Sequence, residues 1–236
     1  MNLKELRANW NELGSTDPFW AILSVPEYKG NRWHVEEFFR TGQAAVADLL
    51  RRIGDPLGLP MEHDRALDFG CGVGRLTQAL ADHFDHVDGV DIAPSMIDSA
   101  RRYNRAGHRC SYHLNELADL AIFEDSIFDF VLSEIVLQHM RPEYALRYVG
   151  ELVRVLRPGG LLIFQVPYES VNPTSLAGPW DPNTGPRIDM FSIPLEDVVA
   201  TVKQAGGRLL RLEETEMGGP EWHSYRYAVT RASAAD

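Results

Sequence analysis

From Ala66 onward, short apolar runs alternate with segments whose apolar residues recur every three or four positions. The first pattern is that of buried strands and the second that of amphipathic helices. Strands are predicted at Ala66 to Phe69, Val87 to Asp91, Cys110 to His113, Phe128 to Ser133 and Leu161 to Val166, with a last pair at Arg208 to Glu214 and Tyr225 to Arg231. Pro142 suits a first helical turn, and Ala145, Tyr148, Val149, Leu152, Val153 and Leu156 form one apolar stripe that Pro158-Gly159-Gly160 ends. A further helix is predicted from Leu195 to Ala205, stopped by Gly206-Gly207, and a short one near Leu117. This alternation implies an α/β fold, doubly wound, with a parallel sheet and helices on both faces.

Two segments stand outside the alternation. Residues 1–42 carry Trp10, Phe19, Trp20, Tyr28, Trp33, Phe38 and Phe39, an aromatic density that reads as an N-terminal helical cap. Tyr28 and Trp33 flank turn-forming Gly30 and Asn31 and are the aromatics expected to face a pocket. Residues 167–194 are rich in proline and glycine and read as a lid loop, because connections of that length are commonly binding elements. The chain is expected to be one domain over residues 1–236, with a cap at 1–42 and a core at 43–236.

Candidate chemistry lies where the first strand ends. Asp68-Phe69-Gly70-Cys71-Gly72-Val73-Gly74 leads from an apolar run into a helical pattern, so the backbone turns sharply and can approach a ligand closely. Downstream, Val87-Asp88-Gly89-Val90-Asp91 ends in an acid placed to accept from ribose hydroxyls. In a dinucleotide fingerprint the third glycine follows two intervening residues, to make room for a pyrophosphate. Arg75 stands at that position, so the spacing suits a nucleoside ligand without a pyrophosphate, and Asp68 would face a cation. Asp91 also has a plain structural role open to it, as a helix cap ahead of Pro94.

Together these residues resemble the class I S-adenosylmethionine-dependent methyltransferases, whose first motif is an acid followed by Gly-x-Gly-x-Gly. Phe128 to Ser133 is similar to the family's fourth strand and Leu156-Arg157-Pro158-Gly159-Gly160-Leu161-Leu162 to its turn into the fifth. The resemblance implies a seven-stranded sheet, mostly parallel, with an antiparallel strand in the edge region where the last two strands form a hairpin. It implies S-adenosylmethionine as cofactor and S-adenosylhomocysteine as product. The cofactor contacts it carries over are Asp68, Gly70, Cys71, Gly72 and Gly74 on the turn, and Asp91, Ile92 and Met96 around ribose and adenine. Asn115, Glu116 and Leu117 follow the third strand and Ser133 closes the fourth. The loop after the third strand departs from the family's usual Gly-Asp pair, so Asn115 or Glu116 can instead cap the helix near Leu117. Arg40 and Gly42 are placed toward the cofactor's carboxylate end.

At the acceptor side, His139 follows the fourth strand at the carboxyl edge of the sheet and is the candidate general base, with anchoring of its loop as the alternative role. Tyr28, Trp33, Glu134 and Tyr168 are the candidate substrate contacts. Asp181, Asp189 and Glu196 follow no metal-ligand pattern and read as solvated loop carboxylates or a helix cap, so no metal is expected. Gly-x-Ser-x-Gly is absent, which leaves a serine hydrolase without support.

Composition narrows the partners. The balance of 34 acidic against 23 basic residues gives a net charge of −11 and speaks against a nucleic-acid substrate. Cys71 and Cys110 are too few for a disulfide framework, and no export signal or membrane span is recognised, so a cytoplasmic protein, monomer or homodimer, is expected. The expected activity is methyl transfer to a small molecule, an oxygen of a sugar or secondary metabolite, with nitrogen and carbon acceptors open. The rivals are a nicotinamide-dependent oxidoreductase, which the glycine spacing opposes, and a non-catalytic cofactor-binding regulatory module.

Overall fold

The computed structural model describes residues 1–59, 62–171 and 181–232. Seven strands form one sheet: β1 (Arg65–Phe69), β2 (His86–Asp91), β3 (Cys110–Leu114), β4 (Phe128–Ser133), β5 (Leu156–Ser170), β6 (Gly207–Thr215) and β7 (Trp222–Arg231). Their order is β3-β2-β1-β4-β5-β7-β6, parallel except that β7 runs antiparallel between β5 and β6. The doubly wound, mostly parallel sheet expected from sequence is thus present, with its antiparallel strand in the edge region.

Successive residues of a strand face opposite sides of the sheet, and the two sides bury separate cores. Leu67, Val131 and Leu162 meet α6 (Pro142–Val155) and α7 (Leu195–Gln204) through Val149, Leu152 and Val198. Ala66, Phe130 and Ile163 meet the other layer, α3 (Val35–Leu49), α4 (Arg75–Leu80) and α5 (Pro94–Tyr103), through Val46, Leu80 and Ile97. Near-continuous apolar strands are what burial on both faces requires. The N-terminal helices α1 (Leu3–Thr16) and α2 (Pro18–Ile22) lie over the carboxyl edge, with Leu13, Phe19, Trp33 and Phe38 packed against Met96 of α5 in a third cluster. Asn2 starts α1 through a capping box with Glu5, which satisfies two otherwise orphaned backbone donors.

Four local expectations are corrected. Leu156 does not close the apolar stripe of α6: it is the first residue of β5, paired with Phe128. That strand runs on to Ser170 because β7 offers a partner as far as Trp222, so Pro167–Ser170 of the expected lid are strand. No helix forms near Leu117; the Asn115 side chain bonds the Leu117 N–H and the Asp119 carbonyl and holds a bend instead. The cap boundary at residue 42 falls inside α3, which packs into the core.

Residues 172–180 of the expected lid lie outside the described residues. Residues 181–194 are tied down: Phe191 donates to the Gln138 carbonyl at 2.7 Å and Ile193 to that of Pro167 at 2.9 Å. Asn9 of α1 exchanges two hydrogen bonds with the Arg187 backbone, at 2.8 and 2.9 Å, joining this segment to α1.

Candidate active site

Chain order places the crevice. From β1 the sheet grows outward through β2 to β3, then resumes on the other side of β1 with β4, so the loops after β1 and β4 diverge at the carboxyl edge. Gly70, Gly72 and Gly74 all adopt positive φ, at 75°, 52° and 82°, which explains why this turn is glycine. Gly70 and Cys71 both donate to the Val90 carbonyl, at 2.8 and 3.0 Å, so the turn is fastened to β2. A Cβ on Gly70 would collide with the Val136 side chain, and one on Gly72 would lie 2.5 Å from Ile22 Cδ1.

Asp91, at the end of β2, accepts from the Gly72 N–H through Oδ2 and from the Ala93 N–H through Oδ1, each at 2.9 Å. Asp91 does not cap α5, whose N-cap is Ala93 without a side-chain cap bond; its two hydrogen bonds shape the loop instead, and each oxygen keeps a second lone pair. Burial pushes the Asp91 carboxyl up from its ordinary range, while the backbone donors oppose that. Asp68 is 2% exposed, accepts from Thr77 Oγ1 at 2.6 Å, and is pushed up by burial to about 6.

Asp68, Gly70, Cys71, Gly72, Asp91, Ile92, Met96 and Asn115 line one crevice, together with Glu134 and His139. Gly74 stands apart: it closes the turn by donating to the Cys71 carbonyl, and its missing Cβ makes room for the Tyr112 hydroxyl. Glu116 turns outward into an ion pair with Arg7 at 2.5 Å, and Leu117 is exposed. Ser133 is fully buried within β4, and its Oγ has no protein partner.

Corrections are largest on the acceptor side. Tyr28 and Trp33 stack on each other, centroids 3.8 Å apart, and do not line the crevice. The Tyr28 hydroxyl is spent on Glu37 and the Trp33 indole N–H on the Leu23 carbonyl, so both serve the N-terminal cluster. Tyr168 stacks on Tyr225 in a separate hollow bordered by Glu214 and Trp222. Arg40 is exposed, and Gly42 lies against the Arg75 backbone, so neither faces the crevice.

What sequence reasoning missed are Leu3, Leu6 and Trp10, which α1 lowers onto the crevice, and Arg75, which enters it from the start of α4. The helical spacing of Leu3, Leu6, Trp10 and Leu13 was the available signal for the first group. Ile135 was also missed: it lines the crevice at a φ of 60°, a strained conformation for a β-branched residue, and its N–H bonds Gln165 Oε1 at 3.3 Å.

His139 Nδ1 donates to the Asp189 carbonyl at 2.8 Å, which leaves Nε2 as the lone-pair nitrogen, 3.2 Å from Gln138 Nε2. The Trp10 ring lies 5.2 Å from the imidazole. Burial pushes the imidazole down to about 4, so it is neutral at physiological pH. Glu134 meets Arg226 Nε at 2.7 Å in a buried pair, and Asp189 meets Arg187 at 2.8 Å. Among the described residues no group of three His, Cys, Asp or Glu side chains is arranged to hold a metal ion, and no helix is long and apolar enough to cross a membrane.

Residues 67–164 match the family of methyltransferase domains. This stretch is a class I methyltransferase domain. The domain is 33% identical over 105 residues to a ubiquinone biosynthesis O-methyltransferase of Xylella fastidiosa (strain 9a5c), covering 44% of this chain and 42% of that protein. It is 33% identical over 123 residues to a malonyl-[acyl-carrier protein] O-methyltransferase of Serratia marcescens, covering 51% and 46%. The chain thus spans about half the length of these curated relatives or less. Magnesium protoporphyrin IX methyltransferase from Synechocystis PCC 6803, solved with bound SAH, superposes with a TM-score of 0.69 at 21% identity over 98% of this chain and 100% of that one. At that identity the likeness is one of fold.

Proposed function

We propose that the chain is an S-adenosylmethionine-dependent methyltransferase that methylates an oxygen of a small secondary metabolite. The observation that carries this reading is that Asp91, the glycine turn and His139 line one crevice. The residues present fit the donor: Gly70, Cys71 and Gly72 line the crevice beside Asp91, whose two oxygens each keep a lone pair for a ribose diol. When bound, the donor supplies an electrophilic methyl on a sulfonium.

The chain's own residues would do the rest. Ile92 and Met96 flank the base, Asn115 addresses its polar edge, and Asp68 receives the ammonium. Trp10, 5.2 Å from the imidazole, lines the crevice with Leu6 and Met140, and these apolar walls favour an apolar or aromatic acceptor over a sugar. They exclude water, so the dispersed charge of the transition state is favoured over solvated reactants. With the Gln138 amide turned away, His139 Nε2 would accept from the acceptor hydroxyl and orient it toward the methyl, the hydroxyl proton passing to Nε2 as the oxygen–carbon bond forms and the donor's carbon–sulfur bond breaks. Two relatives named for O-methyl transfer support oxygen as the accepting atom.

Incubation with methyl-labelled donor and a panel of hydroxylated, amino and carbon acceptors tests the proposal. Label on a hydroxylated apolar compound supports it. Tight donor binding with no transfer to any acceptor would favour a non-catalytic regulatory module.

A further inference from the structure

We infer that Gln138 is a positioning residue for His139: its side-chain amide donates to the ring's lone pair at rest and rotates to accept from Nε2–H once that nitrogen carries a proton. The inference deepens the base reading proposed above and rests on it. Gln138 and His139 share a one-turn helix, Leu137–His139, that follows β4. Gln138 is 3% exposed, its Nε2 lies 3.2 Å from His139 Nε2, and its Oε1 has no hydrogen-bond partner. A buried acceptor left unpaired is costly, so its presence beside the candidate base points to a state in which it is paired.

The ring itself says which state. Nδ1 donates to the Asp189 carbonyl at 2.8 Å, so the neutral ring presents Nε2 as a lone pair, which only the N–H side of the amide can meet. The opposite orientation, with Oε1 toward Nε2, needs a hydrogen there and therefore an imidazolium. The two amide orientations thus correspond to the two charge states of the ring. The backbone is fixed, since the Gln138 carbonyl accepts from the Phe191 N–H at 2.7 Å and the His139 N–H donates to the Val136 carbonyl at 3.0 Å. The exchange is therefore a rotation of the side chain. Burial pushes the ring down to about 4, and a charge-assisted bond from Nε2–H to Oε1 offsets part of that cost when the acceptor's hydroxyl proton reaches Nε2. The charged groups around the crevice are engaged elsewhere: Asp189 with Arg187 at 2.8 Å, Glu134 with Arg226 at 2.7 Å, Asp68 with Thr77 and Asp91 with the glycine turn.

Nitrogen NMR of the isotope-labelled, donor-free full chain tests this, with the His139 ring assigned by its loss in His139→Gln. At neutral pH the wild-type ring should be protonated at Nδ1, and its Nε2 signal should be that of a hydrogen-bonded lone pair, moving to the unbonded position in Gln138→Met. As pH falls, the Gln138 amide signals should change with the same midpoint as the ring. That midpoint should drop by about half to one pH unit in Gln138→Met, which removes the acceptor. It should rise by about one to three pH units in Gln138→Glu, which puts a carboxylate in its place. A ring protonated at Nε2 at neutral pH overturns the inference, as does an Nε2 signal that Gln138→Met leaves unchanged. A midpoint that holds or rises in Gln138→Met, or fails to rise in Gln138→Glu, overturns it too. Should Gln138→Met not fold, or the wild-type chain unfold before its ring titrates, the wild-type tautomer at neutral pH and the midpoint of Gln138→Glu decide the matter. Equal methyl transfer by His139→Ala and wild type would remove the base reading and the amide's part in it, while the pairing of ring and amide would still be judged on the spectra.

Discussion

Gly72 donates its backbone N–H to Asp91 Oδ2 at 2.9 Å, so the turn after β1 and the acid at the end of β2 form one hydrogen-bonded unit. Asp91 therefore shapes the turn, and each of its oxygens keeps a second lone pair for the ribose contact proposed above. Asp91→Ala should weaken S-adenosylhomocysteine binding about ten- to a hundredfold with the fold retained. Titration of folded variant protein checks this, and unchanged affinity would take Asp91 out of the site.

Val136 occupies the space that a side chain on Gly70 would need, and Gly70 sits at a φ of 75°. Gly70→Ala should destabilise the fold by about 2 kcal/mol or more, from backbone strain and overpacking together. Adding Val136→Ala should recover the packing part and leave the strain. Denaturant unfolding of the single and double variants measures both, and a single variant as stable as wild type would contradict the packing described.

His139 titrates near 6.5 when unfolded, and burial pushes it down to about 4 in the fold. The fold favours the neutral ring, so this stabilisation is complete above pH 6.5 and is lost as pH falls through the window toward 4. Its full size is about 3 kcal/mol. Asp68 acts with the opposite sign, because its raised pKa favours the fold when protonated, so the difference between wild type and His139→Gln isolates the histidine. Unfolding at neutral and acid pH should show the gap between the two proteins changing across that window. His139→Ala should also lower turnover about a hundredfold while leaving donor affinity intact; equal turnover would reduce the residue to a loop anchor.

Asn9 ties α1 to the backbone of Arg187 through two hydrogen bonds. Asn9→Ala should cost about 1–3 kcal/mol by stranding those backbone groups. It should also raise the donor dissociation constant, since Leu6 and Trp10 ride on the loosened helix. Hydrogen exchange confined to faster rates in α1 would support the coupling, and unaltered exchange there would oppose it.

How much of this was legible depended on the range of the interactions. The glycine turn and Asp91 could be read because positive φ and the acid ending a strand are local demands that restrict residue type at fixed spacing. Strand and helix order followed from alternating periodicity, which burial on both sheet faces imposes. Tyr28 and Trp33 misled because an aromatic beside a turn satisfies a pocket or a partner ring equally well, and here each found the other. Trp10 and Arg75 were missed for the converse reason: their positions depend on how α1 and α3 dock, which no local pattern specifies. Leu156 joined β5 because Phe128 pairs with it, a constraint from a distant strand.

The most direct test of the central claim, that the crevice between the loops after β1 and β4 holds a methionine-linked nucleoside, is paired equilibrium titration with S-adenosylhomocysteine and NADH. Saturable binding of S-adenosylhomocysteine, abolished or strongly weakened in Asp91→Ala, with no binding of NADH, is the predicted result. Binding of NADH without S-adenosylhomocysteine would contradict it.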